Sequence, residues 1–427
     1  MRFHPAPLAA ALCLAAATLA PARTLVHCGT LIDGRADAPK KAMTVVVEGD
    51  RIAAVEAGYT APAAGDTVID LKSATVTPGW IDCHVHLDGQ QSPQSYTEGF
   101  FLNPGDYALR GAFYAKKTLL AGFTTVRNLG DANYSTVALR HAIAAGWADG
   151  PRIYTAGTAI GTTGGHADPT NGYSEQVMRA FPAPEVFNGA DGARAAVREH
   201  AKRGVDVIKI MTTGGVLSLG DSAHGAQMTN DEVRAVVETA HEYGLKVAVH
   251  AHGTEGMKRA IEAGVDSIEH GTFMTDEVIA LMKTHGTYYV PTLNAGKYVA
   301  EKAKTPGYFP PVVAAKAALI GPLMQATFQR ACQGGVKIAF GTDQGVAPHG
   351  DNATEFAYMV EAGMPPMAAI KSATIEAARL LGAEKDLGTI EPGKFADLVA
   401  VPGDVLADIR LTTKVSFVMK GGVVYKP

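Results

Sequence analysis

Three short segments of the chain end in side chains that bind metal ions: Asp82-Cys83-His84-Val85-His86, Val207-Ile208-Lys209-Ile210 and Phe340-Gly341-Thr342-Asp343. Each reads as the last residues of a buried strand. His250 and His270 close the apolar runs "GLKVAVH" and "VDSIEH", and Asp343 closes "VKIAFGTD". Side chains two apart on a strand share a face, so His84 and His86 can reach one ion together. Imidazole and carboxylate suit borderline divalent ions such as zinc, and a catalytic centre keeps a position open for water. An isolated His-x-His more often serves a core or a solvated face. What singles out this set is the repetition of candidate ligands at strand ends. Cys83 alternates out of phase with both histidines, as a small buried hydrophobe would.

Lys209 sits in "GVDVIKIMTTGG", a β-branched run in which an ammonium is costly and burial favours the neutral amine. A neutral amine reacts with carbon dioxide, and the carbamate formed is an anionic bridge for two metals. The residues alone leave a second possibility, a lysine that snorkels outward or pairs with an acid. Four histidines, one aspartate and one buried lysine together predict a metal-dependent hydrolase.

These groups need a scaffold that gathers strand ends. From about residue 78, β-branched runs alternate with helical stretches eight times. The runs are Val76 to His86, Thr124 to Asn128, Arg152 to Thr158, Val205 to Met211, Lys246 to His250, Asp266 to His270, Tyr288 to Thr292 and Val336 to Asp343. Helices such as Asp231 to Tyr243 and Glu255 to Ala263 separate them, the latter ending at Gly264 as a C-cap would. The pattern predicts a (β/α)8 TIM barrel over residues 78–387, a fold that collects catalytic groups at the C-terminal ends of its strands. Residues 23–77 and 388–427 show strand alternation broken by glycine and acidic turns. Together they predict one small composite β-sandwich.

The 427-residue chain is 47% hydrophobic and 19% charged, the balance of a folded protein rather than a disordered one. A formal charge of −4 and a pI near 6.4 give no basis for a nucleic-acid partner. In residues 1–22, Arg2 and His4 precede an apolar stretch from Leu8 to Ala20, then Ala20-Pro21-Ala22. This predicts a signal peptide cleaved near Ala22, leaving a mature chain one unit more negative. The mature protein is then secreted, to a bacterial periplasm, without a membrane anchor. Leu12 before Cys13 is larger than lipoprotein processing requires. Cys28, Cys83 and Cys332 then remain, an odd number that indicates no disulfide framework.

"TPGWIDCHVH", "GFTTVRNLGD", "VIKIMTTGG", "VAVHAHG", "SIEHG", "GTD" and "GTIEPGKFADLVAV" resemble the amidohydrolase superfamily. Within it, the pattern is similar to the secreted binuclear Xaa-Pro and Xaa-Arg dipeptidases and the ochratoxinases. The resemblance implies two divalent ions, zinc above all. His84 and His86 would hold the first, His250 and His270 the second, and Lys209 as carbamate would bridge them. Asp343 would touch the first ion and shuttle protons. Spacing leaves open which of His250 and His252 binds metal; the resemblance makes His250 the ligand and places His252, with His166 of "TTGGHAD", near substrate. It further implies a homo-octamer and release of a C-terminal residue from a small substrate with a free carboxylate, such as ochratoxin A.

Aromatic residues in the loops after the first, third and seventh strands are expected to line an apolar pocket: Tyr96, Phe100, Phe101, Tyr107, Tyr173, Phe181, Tyr298, Tyr308 and Phe309. His141, His200, His241 and His285 read as solvated helix positions. Two rival readings stand beside this one. The first is an imidazolonepropionase-like cyclic-amide hydrolase or deaminase, against which Lys209 counts. The second is a non-enzymatic periplasmic metal-binding protein, which has no need of Asp343 in a proton-shuttling place.

Overall fold

A computed structural model describes residues 1, 22–180, 183, 185–220 and 222–427. The signal segment expected over residues 1–22 falls almost entirely outside that set, as do Cys13 and Phe181. The N-terminal flank supplies strands β1 (Thr24–Leu31), β2 (Lys40–Glu48), β3 (Arg51–Ala57) and β4 (Thr67–Pro78). β1 pairs antiparallel with β2 and parallel with β4.

Gly79 interrupts the first expected run, so that β5 (Trp80–Val85) starts a separate set of parallel strands. β6 (Phe123–Asn128) and β7 (Arg152–Thr155) follow it in one three-stranded arc. The short pair β8 (Gly161–Thr162) and β9 (Val186–Phe187) lies in the next connection. A second arc contains β10 (Val207–Met211), β11 (Lys246–Ala251), β12 (Ser267–His270) and β13 (Tyr288–Val290).

Backbone hydrogen bonds carry the circuit from arc to arc. Asp206 N donates to Thr155 O and Ile160 N to Lys209 O. On the other side, Ala339 N donates to Tyr289 O, Cys83 N to Phe340 O and Asp343 N to His84 O. The expected eighth strand, Val336 to Asp343, is therefore an extended connector with one isolated bridge, Tyr289 to Ile338, rather than a regular strand. Close packing explains the irregularity, since a Cβ on Gly341 would meet Val290 Cγ1 at 2.3 Å.

Strand faces alternate, so Val207 and Lys209 share one face. Val207 packs with Ala248, Leu129 and Ala156 in a small apolar cluster, which places the lysine above a dry floor. The helix Pro311–Gln333 is long and apolar enough to cross a membrane by composition, but Val313, Ala317, Ile320, Met324 and Phe328 are buried in the core.

The C-terminal flank returns as β14 (Leu398–Pro402), β15 (Phe417–Lys420) and β16 (Val423–Lys426). β14 pairs with β4, joining both flanks in the order β16-β15-β14-β4-β1-β2-β3. The flanks do combine, their strands hydrogen-bonded in one seven-stranded sheet around a shared apolar core. β4 makes the join, its twelve residues pairing with both β1 and β14.

Candidate metal centre and substrate cavity

His84, at the end of β5, is 1% exposed. Its Nδ1 lies 2.9 Å from Glu269 Oε2. A carboxylate accepts, so Nδ1 carries the hydrogen and the Nε2 lone pair is left for another partner. Burial pushes this imidazole down to about 4, which keeps it neutral. His86 repeats the arrangement, with Nδ1 donating to Gly130 O at 2.9 Å.

Both Nε2 atoms face one carboxylate oxygen, Asp343 Oδ1, at 3.5 Å from His84 and 3.1 Å from His86. Lone pairs facing a carboxylate repel unless a proton or a cation lies between them. This is the electronic arrangement that a cation site requires. His270, on β12, gives its Nδ1 to Thr292 Oγ1 at 2.7 Å. Ligand atoms of His84, His270 and Asp343 all lie within 4.8 Å of one another. On β11, His250 donates Nε2–H to Gly214 O at 3.1 Å, leaving the lone pair on Nδ1. Fixing one ring nitrogen so that the other faces the centre is how outer groups orient metal-binding histidines.

Lys209 is 1% exposed, and its Nζ has no hydrogen-bond partner among the described residues. Burial lowers its pKa to about 8, so part of the population is the neutral amine. Lys209 is therefore a buried amine and not a snorkelling one. Asp343 is ionised: burial opposes this, but His84 and His86 outweigh it and hold the carboxyl below its ordinary value. His270, Thr292 and Asp343 have φ of 69°, 54° and 57°, a left-handed backbone that is costly for residues with a Cβ and is found at functional sites.

His252 and His166 lie beside this group. The His252 ring is 4.7 Å from that of His250, and His166 is 4.3 Å from His250. Burial pushes both down to about 3, so both are neutral. Thr272 Oγ1 sits 2.8 Å from His252 Nδ1. His166 is held through its backbone N, which donates to Gln227 Oε1 at 2.8 Å, and its ring packs on Gly215, where a Cβ would come within 2.2 Å. All eight sequence-selected residues line one cavity of about 340 Å³.

Three residues absent from that selection hold it together. Glu269 accepts from His84, from Arg127 Nη2 at 2.9 Å and from Ser267 Oγ at 2.5 Å. Burial works against its charge, yet Arg127 and His84 hold it down to about 2. Asp82 accepts from Thr342 Oγ1 at 2.6 Å and Asn352 Nδ2 at 2.8 Å, tying β5 to the connector that carries Asp343. Acids and an arginine inside β-branched runs were the available signal.

Among the described residues, no phenylalanine, tyrosine or tryptophan lines the cavity. Its apolar wall is aliphatic, made by Met211, Val216, Leu217, Val299, Ile320, Met324 and Val346. Tyr96, Tyr107 and Tyr173 line an adjoining recess instead. Tyr298 and Tyr308 bond each other, Phe309 is buried, and Phe100 and Phe101 are exposed. The reason is that helices Leu293–Lys302 and Pro311–Gln333 cover the mouth with their aliphatic residues. His200 also departs from expectation: it is buried, with Nδ1 on Ala196 O and Nε2 on Thr158 O.

Residues 75–425 match the amidohydrolase family. The chain belongs to that family. Ochratoxinase of Aspergillus niger is 32% identical over 425 residues, spanning 94% of this chain and 86% of the relative. The crystal structure of A. niger ochratoxinase superposes with a TM-score of 0.83 at 30% identity, over 95% and 96% of the two chains. A Xaa-Pro dipeptidase solved with methionine bound in its active site is 49% identical, with a TM-score of 0.92 over 95% of this chain and 100% of the other. Imidazolonepropionase of Sphingopyxis alaskensis is 25% identical over 365 residues, 79% of this chain and 81% of the relative. The amidohydrolase described here is a hydrolase acting on amide bonds.

Proposed function

We propose that this amidohydrolase is a binuclear metal-dependent enzyme on a (β/α)8 barrel that cleaves the amide bond to a C-terminal amino acid. Its substrates are N-acyl amino acids or dipeptides, with ochratoxin A, split to ochratoxin alpha and L-phenylalanine, as the specific candidate. The observation that carries the reading is the convergence of the His84 and His86 lone pairs on Asp343 Oδ1 beside a buried Lys209 whose Nζ has no hydrogen-bond partner among the described residues.

The donor set fits divalent metal. His84 and His86 would hold one ion, His250 and His270 the other, with carbamylated Lys209 between them and Asp343 on the first; imidazole and carboxylate donors suit zinc. Two such ions supply a water of near-neutral pKa and polarise the scissile carbonyl. The chain's own residues do the rest. Ionised Asp343 takes the attacking water's proton and returns it to the leaving nitrogen, which is otherwise a very poor leaving group. With Thr272 donating to Nδ1, His252 offers Nε2–H to the carbonyl oxygen as it gains charge, and His166 lines the same space. The aliphatic wall takes up the apolar side chain of the released residue. That an amino acid, methionine, occupies the active site of the dipeptidase relative is in keeping with this.

The test is a panel of acyl-amino acids, dipeptides and ochratoxin A, assayed with and without added zinc by release of the free amino acid. Zinc-dependent release is expected. No release from any member, with turnover of a cyclic amide or a deaminase substrate, favours the imidazolonepropionase-like alternative. A metal content of one per chain points the same way.

A further inference from the structure

A substrate that ends in a free carboxylate needs a receptor, and the cavity offers no cationic side chain for it. Among the described residues lining the cavity there is no arginine, and Lys209 is the one lysine. Arg110 stands behind the wall with Nη1 and Nη2 on Glu98, at 2.8 and 3.0 Å, and Nε on Asp88 O at 2.6 Å. It is Glu98 that faces the cavity, so this ion pair presents the wrong sign.

A second cation stands behind the wall. Lys316, on the helix Pro311–Gln333, is 7% exposed. Its Nζ donates to three backbone carbonyls, Gly215 O at 2.8 Å, Ser218 O at 2.7 Å and Gly220 O at 2.6 Å. In a trans peptide the C=O and N–H point in opposite directions. The Gly215 carbonyl faces Lys316, so the N–H of the same peptide, on Val216, faces away from it. Val216 is 8% exposed and lines the cavity, and its N–H finds no acceptor among the described residues. An N–H at a cavity wall without a protein acceptor is open to a ligand. A cation at the oxygen end of a peptide raises the positive potential at its nitrogen end, and oriented backbone N–H groups of this kind bind anions. The charge of Lys316 also bears on His166 and His252, the two neutral rings beside the metal ligands.

We propose that Lys316, acting through the Gly215–Val216 peptide, sets the receptor for the substrate's C-terminal carboxylate, with Val216 N–H as the donor. This rests on the C-terminal-residue reading above and assigns its missing contact. Lys316 is a positioning residue here, because the carbonyls shield it from the substrate.

The experiment compares N-acyl-L-phenylalanine with its C-terminal primary amide, both cut at the acyl bond, on metal-loaded wild type, Lys316→Met and Lys316→Arg. Removing the Lys316 charge behind the Val216 donor is expected to raise KM for the acid by on the order of tenfold in Lys316→Met. kcat and the KM for the amide should stay within about twofold, and Lys316→Arg should recover part of the preference. Equal losses on acid and amide reduce Lys316 to structural support and overturn the proposal. So does an unchanged acid preference. A wild type indifferent between acid and amide overturns both this proposal and the C-terminal-residue reading. Where Lys316→Met fails to fold, a crystal structure of the metal-loaded wild type with L-phenylalanine decides. Its carboxylate must lie within hydrogen-bond reach of Val216 N, and a carboxylate held elsewhere contradicts the assignment.

Discussion

His86 Nε2 lies 3.1 Å from Asp343 Oδ1 while His86 Nδ1 donates to the carbonyl of Gly130. The imidazole is thereby fixed with its lone pair toward a carboxylate, a contact that is favourable only around a cation or a proton. On the proposed mechanism a bound metal would meet that demand, and Asp343 would keep a second oxygen for proton transfer. Asp343→Asn preserves shape and removes basicity. Turnover should fall by on the order of a hundredfold or more, with the fold intact by circular dichroism. Normal turnover in that variant would mean that the proton travels elsewhere.

Glu269 joins His84 to Arg127, and all three are buried. Glu269→Gln leaves the Arg127 charge without a counter-ion and weakens the hold on His84, so a loss of roughly 3 kcal/mol is expected in denaturant unfolding. The sign of the pH dependence follows from the depressed carboxyl. Glu269 titrates at about 2 in the folded chain against an ordinary 4.5. Its contribution is therefore complete above 4.5 and is lost as pH falls from there toward 2. Metal-stripped wild type and variant should differ in Tm at pH 7, and the gap should close in acid. A gap independent of pH would remove the ion pair from the explanation.

An aliphatic cavity predicts a side-chain preference at the released residue. Burying a phenyl ring contributes about 2 kcal/mol, so an N-acyl glycine should be cleaved with an efficiency roughly thirtyfold below the phenylalanine compound. Equal kcat/KM for the two would show that the released side chain does not enter the wall formed by Val299, Ile320 and Met324.

How far the sequence was legible depends on the range of the interactions involved. β-branched runs mark strands locally, and the ends of those runs carried His84, Lys209, His250 and His270 to the centre. Asp343 was found in the same way although its segment is a connector and not a regular strand. Glu269, Arg127 and Asp82 were passed over because their meaning lies in pairing. Arg127 meets Glu269 across 142 positions, and no local pattern predicts that contact. The expected aromatic lining erred for a related reason. Composition reveals that a loop is rich in rings, but the helices that fold over the mouth decide which residues face inward. The single seven-stranded sheet likewise depends on how β4 is shared between β1 and β14, which strand alternation does not encode.

The central claim is a pair of metal ions bridged by modified Lys209, and the most direct measurement is metal content per chain in wild type and Lys209→Ala. The wild type, grown with zinc and supplied with bicarbonate, should carry two ions. Lys209→Ala should lose at least one ion and most activity, with both partly restored by a short carboxylic acid standing in for the carbamate. Two ions and full turnover in Lys209→Ala, or one ion in both proteins, would contradict the bridge.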